Sequence, residues 1–503
     1  MTMPPPGVRA LLRRTLAGAL AALGLAAATA ASAATAGAAA DAQALTPCRV
    51  AGVATELRCG AVARPLDPAR PGGPKIEVHY AVSPAATRRK WRDPVVVLAG
   101  GPGLSAIAGA PQMLAVLGRL NQRRDIVFVD QRGTGRSAPL DCGDGGHRSL
   151  AALADLQLQV AEAAACHERL AKLPYGELAF FTTPYATQDL DAVRLQLGAA
   201  RINLVGSSYG TRAALDYLRQ FPGAVRRTVL DGVIAPDTLQ PLSFSSDGQR
   251  ALDLLLAACE QDAACRRDHP ELRRNWAQLL AGLPREVVAR HPLTGQAERF
   301  TATRAMVLVA VRTALYSPSL AAALPFAIDE AAQGRFEPLV GLKDLVSPRE
   351  GTAPAMGMHY SVVCGEDFPR FAAATDKPGA DFGTDFAQFY SQVCAGWPRR
   401  AIPAAFYTVP RASSPVLALG GGLDPAAAPR HAEAVVKALG PNARHVVVTN
   451  AGHGVMGIGC LRDVVFRFID ADDDASALAA DAACASAVPR PPAFRPYVLE
   501  LPK

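Results

Sequence analysis

The sequence predicts an α/β protein: a mostly parallel central sheet flanked by helices, with a helical cap inserted into it. Three observations carry this reading. The apolar run 202–205 breaks through Gly206-Ser207-Ser208-Tyr209-Gly210 into a helical segment at 211–220. Four more buried-strand runs, at 95–99, 126–129, 415–419 and 445–449, each end in a loop rich in glycine, acids or histidine. From about residue 236 to 405 these strand-and-loop units stop, and apolar residues recur at helical spacing.

The elements follow in chain order. Arg9, Arg13 and Arg14, an apolar run at 16–28 and the small residues Ala31-Ser32-Ala33 read as a secretory signal over 1–33, with cleavage after Ala33 or Ala40. This leader is too short and alanine-rich to anchor stably in a membrane, so a secreted or periplasmic location is expected. Its three arginines account for part of the formal net charge of +7, leaving +4. The remaining basic residues are scattered among acids with no aromatic-laced stripe, which excludes nucleic acid as a partner. About 470 residues remain, ample for a core in two parts (34–235 and 406–503) around a cap at 236–405. Within the cap, Leu252, Leu255, Leu256 and Cys259 share one helical face, as do Leu272, Trp276, Leu279 and Leu280, and then Val307, Val311 and Leu315.

The G-x-S-x-G turn makes Ser208 the candidate nucleophile. Glycines on either side let the chain turn sharply from strand to helix and push the hydroxyl out of the sheet. A serine hydroxyl needs a base, and the base needs a carboxylate to orient it. Asp424 follows the strand and Gly420-Gly421-Gly422, and His453 stands between Gly452 and Gly454 after the last strand, where it reads as exposed and free to turn. The order Ser208, Asp424, His453 is that of the α/β-hydrolase fold. The Tyr209 N–H, at the start of the helix, and the bare backbone of Gly100 or Gly101 are the candidate oxyanion hole. The run Asp130-Gln131-Arg132-Gly133-Thr134-Gly135-Arg136-Ser137 reads as scaffold bracing that glycine loop. Neither metal nor organic cofactor is needed, and the other histidines lack metal-ligand spacing.

Taken together, GGPG, DQRGTGRS, GSSYG, GGGLDP and GHG resemble the prolyl and tripeptidyl aminopeptidases of the α/β-hydrolases, over about residues 48 to 453. The resemblance implies a serine peptidase that removes residues or short peptides from N-termini, with Ser208, Asp424 and His453 as its triad. Ala99 departs from it, since many prolyl aminopeptidases have histidine before GGPG; this favours the secreted tripeptidyl-type branch.

Peptide substrates with a free N-terminus require a buried or half-buried carboxylate for the α-ammonium group. Glu366 and Asp367, beside Cys364 in the cap, are the candidates, while Asp231 after its strand suits loop bracing better. The ten cysteines fall into neighbouring pairs, 48 with 59, 142 with 166, 259 with 265, 364 with 394 and 460 with 484, expected as disulfides of about 2–3 kcal/mol each. Because the same triad cleaves esters, a carboxylesterase or lipase-like hydrolase is the alternative.

Overall fold

The computed structural model describes residues 45–143, 148–344 and 353–496; the expected leader over 1–33 lies outside them. Three strands, β1 (Thr46–Cys48), β2 (Leu57–Pro65) and β3 (Lys75–Ser83), run antiparallel along one edge of the sheet. Six more, β4 (Val95–Leu98), β5 (Ile126–Val129), β6 (Ile202–Ser207), β7 (Val225–Asp231), β10 (Val416–Gly421) and β11 (Ala443–Val448), run parallel. The order across the sheet is β1-β2-β3-β5-β4-β6-β7-β10-β11.

The parallel strands are short apolar runs because helices cover both faces. All residues of β4 and β5 are buried. Helices Ala110–Asn121, Tyr209–Gln220 and Pro429–Leu439 cross from β4 to β5, β6 to β7 and β10 to β11. On one face Leu117 and Leu120 join Leu461, Val464, Val465 and Phe468 against Val97, Phe128 and Val205.

Helices dominate residues 236–405, and each apolar face read from the sequence is buried in one separate cluster around Trp276, Val311, Leu324 and Ile328. Two features differ from the expectation of a purely helical insertion. Strands β8 (Arg285–Arg290) and β9 (Ala297–Ala302) form an antiparallel hairpin that turns Val287, Ala289, Phe300 and Ala302 into the cluster. Six-residue strands carry only a few turns of period-two signal, which helical segments on both sides mask. Leu150 and Ala154 also pack into this cluster, so its apolar core takes in residues that precede the nucleophile in sequence.

All five expected cysteine pairs are joined as disulfides. No helix among the described residues is long and apolar enough to cross a membrane.

Close backbone packing sets where the helix after β6 can start. A Cβ at Gly210 would lie 2.2 Å from the Leu98 carbonyl oxygen of β4, and one at Gly206 would lie 2.5 Å from the Gly210 carbonyl oxygen. Neither carbonyl can retreat without breaking sheet or helix. Gly210→Ala is therefore expected to destabilise the fold by about 2–3 kcal/mol. The check is a fall in the denaturant midpoint relative to Gly118→Ala, where a Cβ meets nothing within 4 Å.

Candidate active site

Each candidate catalytic residue sits just past the carboxyl end of a parallel strand, the edge where ligands bind in open α/β sheets. Ser208 follows β6 directly and has φ +54° and ψ −124°, a left-handed conformation that side chains seldom adopt. The turn is held by the Ser208 N–H donating to the Asp231 carbonyl at 2.8 Å, and by Thr211 returning its N–H and hydroxyl to the Ser208 carbonyl at 2.8 and 2.6 Å. Gly100, past β4, backs onto the nucleophile: a Cβ there would lie 3.0 Å from Ser208 Cβ and 3.6 Å from Oγ. Gly100 of the glycine loop and Tyr209, the first residue of the helix, thus flank the serine.

Asp424, fully buried past β10, accepts from the Ala426 and Ala427 N–H groups at 2.8 Å each and meets His453 Nδ1 at 2.7 Å through Oδ2. Burial disfavours its charge, but the imidazole and those two amides outweigh burial and hold its pKa below the ordinary value. Burial likewise opposes an imidazolium at His453; Asp424, by charge and hydrogen bond, and then Asp231 overcome it and raise the pKa. The histidine is not free to turn, as its flanking glycines suggested. Its N–H donates to the Tyr316 carbonyl at 2.9 Å, and the Tyr316 ring stands edge-on to it at 5.0 Å between centroids. Gly452 permits this, since a Cβ there would lie 2.3 Å from the same carbonyl oxygen.

Residues 231 and 232 touch both the elbow and the imidazole. The Asp231 carbonyl takes the Ser208 N–H, while a Cβ on Gly232 would lie 2.9 Å from His453 Cε1. Among the described residues neither Ser208 Oγ nor His453 Nε2 has a hydrogen-bond partner, and such contacts commonly tighten only when substrate is bound.

The scaffold reading of the run after β5 matches its contacts. Asp130 Oδ1 accepts from Ser105 Oγ at 2.7 Å and the Ile107 N–H at 3.1 Å, bracing the segment after the glycine loop. Arg132, buried, pairs with Asp189 through two contacts of 2.7 and 2.9 Å.

Glu366 and Asp367 lie on a turn of π-helix, Val363–Asp367, tethered by the Cys364–Cys394 disulfide, and both are wholly buried. Glu366 caps another helix, accepting from the Thr183 N–H at 2.6 Å and Thr183 Oγ1 at 3.1 Å. Between the acids lies Arg212, one turn into the nucleophile's helix, 3.2 Å from Glu366 Oε2 and 3.1 Å from Asp367 Oδ1. Thr183 Oγ1 is also 2.7 Å from the Tyr209 hydroxyl, so the cluster reaches the residue next to Ser208. Asp367 Oδ1 takes no hydrogen bond. Burial raises the pKa of both acids despite Arg212, that of Glu366 to about 7.

Arg212 and Tyr316 were not singled out from the sequence. Arg212 left a signal, a cation four residues past the serine in the first turn of its helix; Tyr316 left none, because it reaches His453 only through packing across 137 residues. Among the described residues no cluster of histidines, cysteines and acids could hold a metal ion.

The sheet order and the elbow define the class: the chain has the α/β-hydrolase fold, and the family model of that fold matches residues 93–302. More particularly, the family model described as TAP-like protein matches residues 380–483. It is 32% identical to the tripeptidyl aminopeptidase of Streptomyces lividans over 198 residues, 36% of each chain. It is 27% identical to serine protease Hip1 of Mycobacterium tuberculosis over 329 residues, 61% of this chain and 62% of that one. These matches span less than two thirds of either relative. Among solved structures, a serine hydrolase from Cycloclasticus zankles aligns with 82% of this chain and 100% of its own, at 13% identity and a TM-score of 0.38.

Two outcomes are expected. Ser208→Ala and Asp424→Asn should each lower kcat by at least about 10³-fold without loss of folded protein, measured on a chromogenic amide or ester. Because the base must be neutral and its pKa is raised, the acid limb of kcat/KM should fall above the ordinary histidine value of about 6.5, with activity rising through it as pH increases.

Proposed function

We propose that the chain is an exported serine peptidase that releases residues or short peptides from the free N-termini of peptides. The observation that carries this reading is the buried His453–Asp424 pair at 2.7 Å beside a serine held at positive φ. In the proposed reaction His453 takes the Ser208 proton as Oγ attacks the scissile carbonyl, and Asp424 stabilises the imidazolium. The Tyr209 N–H and the Gly100 or Gly101 backbone hold the oxyanion, each donor contributing about 3 kcal/mol. His453 then passes its proton to the leaving amine, and water hydrolyses the acyl-enzyme. The relatives' names, tripeptidyl aminopeptidase and serine protease, support peptides as substrates. The five disulfides support export to an oxidising compartment.

The same reading makes the Arg212 cluster the amine receptor. Two carboxylates face the Arg212 guanidinium, and because burial raises the pKa of both, an α-ammonium group arriving beside them would favour their ionised forms. Asp367 is the better receptor, because Glu366 is committed to Thr183 as well as to Arg212, whereas both oxygens of Asp367 face Arg212 alone. Since neither acid is exposed, substrate reaches them only if the segment Val363–Asp367 shifts. A carboxylesterase with the same triad is the second reading, favoured by the closure of that cluster.

A panel of aminoacyl, prolyl-terminated and tripeptidyl chromogenic amides, each with free and acetylated amino ends, beside p-nitrophenyl esters, tests both readings. Asp367→Asn is expected to cost about 10- to 100-fold in kcat/KM on free-amine substrates and little on acetylated ones or esters. Turnover of esters alone by the parent would favour the second reading.

A further inference from the structure

Asp231 does more than its place at the end of a strand requires. It is 3% exposed, and its carboxylate accepts from the Val455 N–H at 2.8 Å (Oδ1) and 3.0 Å (Oδ2) and from the Met456 N–H at 3.0 Å (Oδ2). These are the second and third residues after His453. Its own backbone carbonyl receives the Ser208 N–H, and the next residue, Gly232, donates to the Leu419 carbonyl at 3.0 Å on the strand that leads to Asp424. One dipeptide therefore touches the segments carrying all three proposed triad members.

Bracing a turn does not require a charge. A neutral asparagine or serine oxygen can accept an amide N–H at a much smaller desolvation cost than a buried carboxylate. Burial raises the pKa of Asp231, opposed by the Val455 and Met456 amides and by the charge of His453; what its ionised carboxylate adds is a field, and the one cation that forms nearby during the proposed reaction is the His453 imidazolium. Charged and titratable groups face that ring from every side. Asp424 approaches from the loop after β10, Asp231 from the end of β7, and Tyr316 with Arg312 from the end of helix Arg304–Leu315. Arg312 opposes an imidazolium there, so a second anion offsets a cation that the docked helix brings in.

We infer that Asp231 is a positioning residue of the proposed triad: it fixes the turn after His453 through two backbone amides and supplies a second negative charge to the imidazolium. The inference rests on the triad reading and extends it to a fourth residue that acts through His453 without touching substrate.

The test is the pH dependence of kcat and KM for Asp231→Asn and, as a smaller variant that keeps one acceptor for the turn, Asp231→Ser. Both are compared with the parent on one amide and one ester, with folded sites counted by complete fluorophosphonate labelling of Ser208. Removing the anion should lower kcat about tenfold or more on both substrates, leave KM nearly unchanged, and move the acid limb of kcat/KM about one unit to lower pH. A purely mechanical brace predicts lower kcat with the limb unmoved, and that result in either variant overturns the inference. Undiminished kcat also overturns it. If instead Ser208→Ala retains parental turnover, the triad reading itself fails, a separate outcome.

Discussion

The site depends on how closely backbone can approach backbone around the turn after β6. Gly210 sits against the Leu98 carbonyl and Gly206 against Gly210, with no room for a Cβ at either, and a Cβ on Gly100 would press on Ser208. That closeness lets the Ser208 N–H reach the Asp231 carbonyl at 2.8 Å and fixes the serine at φ +54°. A strained backbone costs on the order of 1–3 kcal/mol and persists only where its surroundings over-determine it. Here β4, β7 and the helix after the turn do so together.

From that point the sheet transmits position. β10 pairs with β7 and with β11 in parallel register, so the loops bearing Asp424 and His453 emerge beside Asp231. Short loops then close the remaining distance through glycines packed on carbonyls: Gly421 on Gly452, Gly422 on Thr449 and Gly452 on Tyr316. The last of these contacts comes from the end of helix Arg304–Leu315, so the histidine of the proposed triad is held both by the loops of the sheet and by a helix far from them in sequence.

Charge is arranged with similar economy. Two buried carboxylates stand near His453, and two more near Arg212, one helical turn beyond the serine. Burying a charge is costly unless it is paired, and each of these groups has a partner within about 3 Å. In both places a buried pair of acids meets arginine, Arg312 near His453 and Arg212 with Arg370 near Glu366 and Asp367, and burial raises the pKa of Asp231, Glu366 and Asp367.

Much of this was legible in the sequence because it is local. Ser208 between its glycines, Asp424 after Gly422 and His453 between glycines announce themselves by spacing, and the cap helices by the faces of Leu252, Trp276 and Val311. Neighbouring cysteines found their partners for the same reason: short loops close at the least entropic cost. What tertiary structure alone decided lies across long separations. The β8–β9 hairpin hides between helices, Tyr316 meets His453 only in the folded chain, and Asp231 joins Val455 across 224 residues. A local pattern records which residues share a turn or a face; it does not record which strand ends the sheet order sets side by side, and that adjacency determines which charges a buried histidine feels.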